Sequence, residues 1–191
     1  MHAGATLIEL MVAMSGTLLL GAMTAPLFRG GEDERALGGA ARYLATLLHR
    51  QRAEAIAHAV STAVKFQSST AGVRYAAFAD GNGNGVRTAD INQGTDPQVS
   101  PWETITDRYP GVTFGIAPNV VDMDSGDALT GTPVRIGGSD LLSFSPVGTA
   151  SSGTLYLRGR HDQQFAVRVL GVTGRVRLMR FDPHTRSWVT P

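Results

Sequence analysis

The residues best suited to chemistry in this chain are arginines near its C-terminal end. Gly174-Arg175-Val176-Arg177-Leu178 alternates polar and apolar positions. An extended strand would therefore put Arg175 and Arg177 on one face and Val176 and Leu178 on the other. Arg180, Arg186 and Trp188 follow. From Arg158 to Pro191, seven Arg stand against Asp162 and Asp182, a local balance of +5 on a 191-residue chain whose net charge is +1. Such a strip can contact phosphates, with the tryptophan stacking on a base. The same charges can also protect a solvated edge strand from unwanted pairing. Both readings stay open at the level of sequence.

Asp80-Gly81-Asn82-Gly83-Asn84-Gly85 opens like a calcium loop, with oxygen ligands at alternate positions and Gly at the sixth. The twelfth position is Ile91, so the bidentate glutamate is missing, and Asp90 comes one residue early. A Gly/Asn-rich turn is favoured over weak calcium binding. The segment also fails as a dinucleotide loop, because Val86 stands where a third glycine is needed. No G-x-S-x-G, H-E-x-x-H or P-loop occurs, and His49 and His58 lie nine residues apart, too far to share a metal face. The expectation is a protein without catalytic residues, metal or cofactor. There is no cysteine, which excludes disulfides and thiolate zinc sites.

At the other end, Glu9 is the single ionisable side chain in the 24-residue apolar run Ala5 to Phe28. A helix of that length spans the roughly 30 Å hydrocarbon core of a bilayer. A carboxylate within such a span costs about 2.5–3.5 kcal/mol to insert, so it either has a partner or sits shallow and snorkels. The acidic run Glu32-Asp33-Glu34 beyond the span fits an N-in, C-out orientation.

These features need elements to hold them. Pro26 and Gly30-Gly31 are expected to interrupt the first helix. A second helical pattern over about 33–58 repeats Leu37, Ala41, Leu44, Leu48, Ala55 and Ala59 on one face. Strand-like runs follow at Thr62–Gln67, Val73–Ala79, Val112–Ile116, Leu141–Ser145, Thr154–Arg158, Gln164–Leu170 and Arg175–Arg180, separated by Gly- and Ser-rich turns. Helix first and strands later predicts an α+β fold with an antiparallel sheet packed on the helix. High glycine content, 23 residues, agrees with a loop-rich β domain.

Gly4-Ala5-Thr6-Leu7-Ile8-Glu9-Leu10-Met11-Val12 resembles the signal of type IV prepilins and type II secretion pseudopilins. The leader lacks a basic residue, and Ala5 stands where Phe or Met is usual. The resemblance implies cleavage by a prepilin peptidase between Gly4 and Ala5, and N-methylation at Ala5. It also implies that Glu9 pairs with the N-terminal amine of a neighbouring subunit. Residues 1–4 would then be a leader, 5–28 a transmembrane and filament-core helix, and 29–191 a globular pilin domain. Ala40-Ala41-Arg42, Arg52 to Ile56, Val64-Lys65-Phe66 and Leu142 to Gly148 resemble the GspH/FimT group of minor pilins and pseudopilins. Some FimT-type pilins bind DNA through G-R-x-R, which Gly174, Arg175 and Arg177 match.

The implied fold is the pilin fold, and the implied protein is a minor pilin of a type IV pilus, with DNA uptake as a role. The alternative is an H-type minor pseudopilin of a type II secretion system. In either case the expected partners are other pilin or pseudopilin subunits, the peptidase and the inner membrane, with DNA added in the first. The globular domain would be periplasmic.

Overall fold

The computed structural model describes residues 6–70 and 72–191; within the first helix, the surroundings of residues 16 and 18–31 lie outside the description. Gly4 and Ala5 therefore fall outside the described residues.

One helix, α1, runs from Leu7 to His58. At 1.5 Å per residue its 52 residues make a rod of about 78 Å. The expected interruption at Pro26 and Gly30-Gly31 does not divide it. A proline removes one backbone hydrogen bond and a glycine costs about 1 kcal/mol, and a helix of 52 residues continues through both. Thr6 caps the start through a reciprocal box: its side chain accepts from the Glu9 N–H, and its own N–H donates to Glu9 Oε2 at 2.9 Å. Ala59 ends the helix at φ 53°, with its N–H returning to Ala55 and Ile56. Ala59 is a cap and is exposed, so it leaves the apolar stripe expected of it. Among the described residues, no helix is long and apolar enough to cross a membrane.

Two antiparallel sheets close on the second half of α1. The first has the order β3-β2-β1-β6, from Glu103–Thr104, Gly72–Ala79, Thr62–Ser69 and Leu141–Phe144. The second has the order β10-β9-β8-β7-β4, from Ser187–Val189, Arg175–Asp182, Gln164–Leu170, Gly153–Arg158 and Thr113–Phe114, with β5 (Val134–Ile136) also on β7. The α+β arrangement read from the sequence is thus present: a long N-terminal helix followed by an antiparallel sheet domain. The single expected sheet is split in two. Two short helices, α2 (Thr88–Gln93) and α3 (Ile105–Arg108), lie between strands.

Strand alternation sorts the core. Leu37, Ala41, Leu44, Leu48 and Ala55 of α1 are fully buried against Val64, Phe66, Leu142 and Phe144 of the first sheet and Leu155, Leu157, Val167 and Val169 of the second. Phe114 joins the sheets, its ring meeting Phe66 and Tyr75 edge-on at 5.9 and 6.2 Å. The far face of each sheet is covered by a loop. Val86, Ile91 and Trp102 cover Ala76 and Phe78, while Ala117, Val120, Val121 and Leu129 cover Tyr156, Ala166 and Phe181. The second of these loops positions the charged face considered next.

Candidate functional site

Arg175 and Arg177 sit on β9 as alternation requires: both are exposed, and Val176 between them is buried toward α1. Gly174 sets up this strand. Its φ is +61°, and a Cβ there would collide with the Gly148 carbonyl and the Arg52 side chain. Arg52 Nε in turn donates to Gly148 O at 2.9 Å. Three segments far apart in sequence, around Arg52, Gly148 and Gly174, therefore meet at one end of the domain.

Arg180 does not join Arg175 and Arg177. An odd spacing along β9 turns it to the α1 side, where its Nη1 donates to Glu34 at 2.8 Å. Nearby, His161 Nδ1 lies 2.6 Å from Asp33, so two side-chain pairs tie the neck of α1 to the second sheet. Arg186 is exposed in the turn after β9, at φ 50°.

Trp188 is half-buried. Its Nε1–H donates to Val121 O at 2.7 Å, and its ring packs on Phe181 and Tyr156 at 5.4 and 5.8 Å. It is a wall of the covering loop's core with one margin on a groove, rather than a free stacking platform. Nor is β9 an open edge throughout. β10 pairs with Arg180 to Asp182, and among the described residues Arg175 to Met179 have no strand partner on that side.

The register reveals basic residues that the sequence reading passed over. Arg135 of β5 stands opposite Thr154, Thr154 opposite Arg168, and Arg168 opposite Arg177. All four share the face away from α1. Arg168 donates to both carboxylate oxygens of Asp124 at 2.9 Å, and Arg135 donates to Asp122 at 2.8 Å. Hydrogen bonds from the Asp124 and Ser125 amides, with Arg135 beside it, hold the Asp122 carboxyl below the ordinary aspartate range despite partial burial. The only available signal was Arg168 in an alternating strand, and its partner could not be known before the register.

The Asp80 loop behaves as a turn. Asp80 accepts backbone N–H bonds from Gly85 at 2.7 Å, Gly83 at 2.8 Å and Asn82 at 3.1 Å. Buried Asp96 accepts from Gly81 and Arg87. Burial raises the Asp80 pKa, but the amide bonds outweigh it and the net shift is downward. Among the described residues, no group of three or more His, Asp or Glu is placed to hold a metal.

No protein-family model and no curated protein sequence matches the chain. Among solved structures it is similar to the minor pseudopilin EpsH from the type 2 secretion system of Vibrio cholerae, at 15% identity and a TM-score of 0.46, over 75% of this chain and 96% of that one.

Proposed function

We propose that this chain is a non-enzymatic filament subunit, a minor pilin of a type IV pilus, that also contacts DNA through Arg175 and Arg177. The observation that carries the reading is the divided character of α1. Leu7, Ile8, Leu10, Met11, Val12 and Met14 are exposed at its start, while its second half is the core of the domain. An apolar surface of that kind on a rod fused to a folded head suits insertion in a bilayer and then packing among like helices. Residues 5–28 serve as the inner-membrane anchor, with the head periplasmic. A prepilin peptidase cuts after Gly4, and Glu9 receives the amine of an adjacent subunit in place of its own Thr6 cap.

Mass spectrometry of the membrane-extracted protein tests the assignment. It should find Ala5, methylated, as the first residue. A mature chain starting at Met1 or near residue 29 would overturn the pilin reading.

The DNA role has its own test. The domain of residues 30–191 holds every buried apolar residue described, the first being Leu37. With few phosphates in reach, it should bind duplex DNA at about 10⁻⁴–10⁻⁶ M, with little sequence preference, and weaken as salt rises. Arg175→Ala with Arg177→Ala should shallow the log–log salt slope by about 1–2. Absence of binding at low salt, or equal binding by the double variant, makes the strip edge protection and favours the secretion-pseudopilus alternative.

A further inference from the structure

Arg168 and Arg177 are directly opposed on neighbouring strands, whose backbones lie about 4.8 Å apart. Like charges in that position repel unless an anion lies between or beside them. Here the anion is internal. The turn that carries Asp122 and Asp124 lies against this face and supplies one carboxylate to Arg135 and one to Arg168.

The two carboxylates differ in what else they do. Asp122 builds the turn, accepting the N–H of Asp124 at 2.9 Å and of Ser125 at 3.2 Å, and Arg135 also donates to the Thr130 carbonyl. Asp124 stands at the tip, its side chain 72% exposed, and its carboxylate meets Arg168. Arg177 and Arg186 form no ion pair among the described residues. All three arginines line one groove of about 600 Å³, with Asp122, Met179 and Trp188 among its other walls.

We propose that Arg168 is a further phosphate-binding residue, forming with Arg177 and Arg186 one site for a chain of anionic phosphates, and that Asp124 is its intramolecular competitor. The inference rests on the nucleic-acid reading of the same face. Arginine's two-pronged geometry suits a phosphate as well as a carboxylate. An exposed ion pair contributes little to stability, so a phosphate chain already held by Arg177 can displace Asp124 at small cost to the fold. The incoming chain gains a third cation, and the turn anchored by Asp122 stays in place. Asp124 thereby sets how strongly the groove holds anions.

The test uses the full chain in nonionic detergent, comparing wild type with Asp124→Asn, Arg168→Ala and the two combined. Binding of a labelled duplex oligonucleotide and of inorganic polyphosphate is measured across salt concentrations, with thermal melts to confirm folding. Asp124→Asn should tighten binding about two- to fivefold, the worth of an exposed pair, and steepen the salt slope by up to about 1. Arg168→Ala should weaken binding by the wild type, because it removes the third cation and leaves Asp124 uncompensated, and should erase the gain in the Asp124→Asn background. A gain that survives loss of Arg168, or no gain on either probe, overturns the proposal whatever the wild type does with DNA. A gain on polyphosphate alone, dependent on Arg168, upholds this site while removing DNA as its ligand. Should Asp124→Asn melt early, Asp124→Ser carries the same comparison.

Discussion

The two described stretches of α1, residues 7–15 and 32–58, are both rich in apolar side chains, and only the second is buried by its own chain. Leu37, Leu44 and Leu48 are completely buried, whereas Leu7 is 82% exposed and Ile8 71%. The difference lies in distribution. Around residues 37–55 the apolar positions form a stripe bordered by Arg42, Arg50 and Glu54, which is the pattern of a helix laid on a sheet. Around residues 7–14 they occupy every side, interrupted by Glu9 alone, and no single sheet could cover them. A stripe specifies an intramolecular partner, and an all-round apolar surface calls for a different environment. In our proposal, that environment is first lipid and then neighbouring helices.

The largest effect should come from breaking the buried half. Leu44→Ala removes a fully buried side chain and should destabilise the domain by about 2–5 kcal/mol. Leu10→Ala in the exposed half should stay within about 0.5 kcal/mol. Denaturant unfolding of the full chain in detergent, followed by tryptophan fluorescence, measures both. Equal losses would mean that the exposed half also packs on the head.

This contrast explains how much of the fold was legible beforehand. The stripe of α1 and the long strands were readable because each carries several periods of its pattern; Gln164–Leu170 matches to the residue. Strands β3, β5 and β10 span two or three residues, less than one readable repeat, and their pairing is decided by tertiary context. The site was legible in the same uneven way. Alternation placed Arg175 and Arg177 correctly, and the same rule, carried on to residue 180, separates Arg180 from them. That Trp188 packs, and that Arg168 faces Arg177, depended on the turn and the register, which no local pattern encodes. Buried Gln164 was equally silent; it accepts from the Ala117 N–H at 2.7 Å and donates to the Leu157 carbonyl at 2.9 Å, fastening the covering loop to the sheet.

A smaller and more selective effect is expected at the polar interruption of the exposed half. Glu9→Ala removes the acceptor for the Thr6 N–H, one half of a capping box at a helix start that carries none of the core. The head should unfold as in the wild type, and insertion should become easier because a charge is gone. Co-purification with other pilin subunits should fall. Wild-type levels would refute the pairing of Glu9 with a neighbouring amine and leave it as a local cap.

The smallest effect should appear at the junction between the two halves, where Glu34 meets Arg180 at 2.8 Å with both side chains nearly half exposed. Pairs of this kind contribute about 0–1 kcal/mol and are weakened by salt. Glu34→Gln should therefore move the unfolding midpoint slightly at low salt and not at all at high salt. It also bears on the groove, because it frees the Arg180 guanidinium. Were the C-terminal arginines a single strip, releasing one of them would tighten DNA binding. Alternation instead puts Arg180 on the α1 side of β9, opposite Arg177, and so outside the reach of a chain lying along the far face. Oligonucleotide affinity and its salt slope should match the wild type in Glu34→Gln, while Asp124→Asn raises both. A gain in Glu34→Gln comparable to that of Asp124→Asn would show that anions reach both faces of β9, and the groove would no longer define the site.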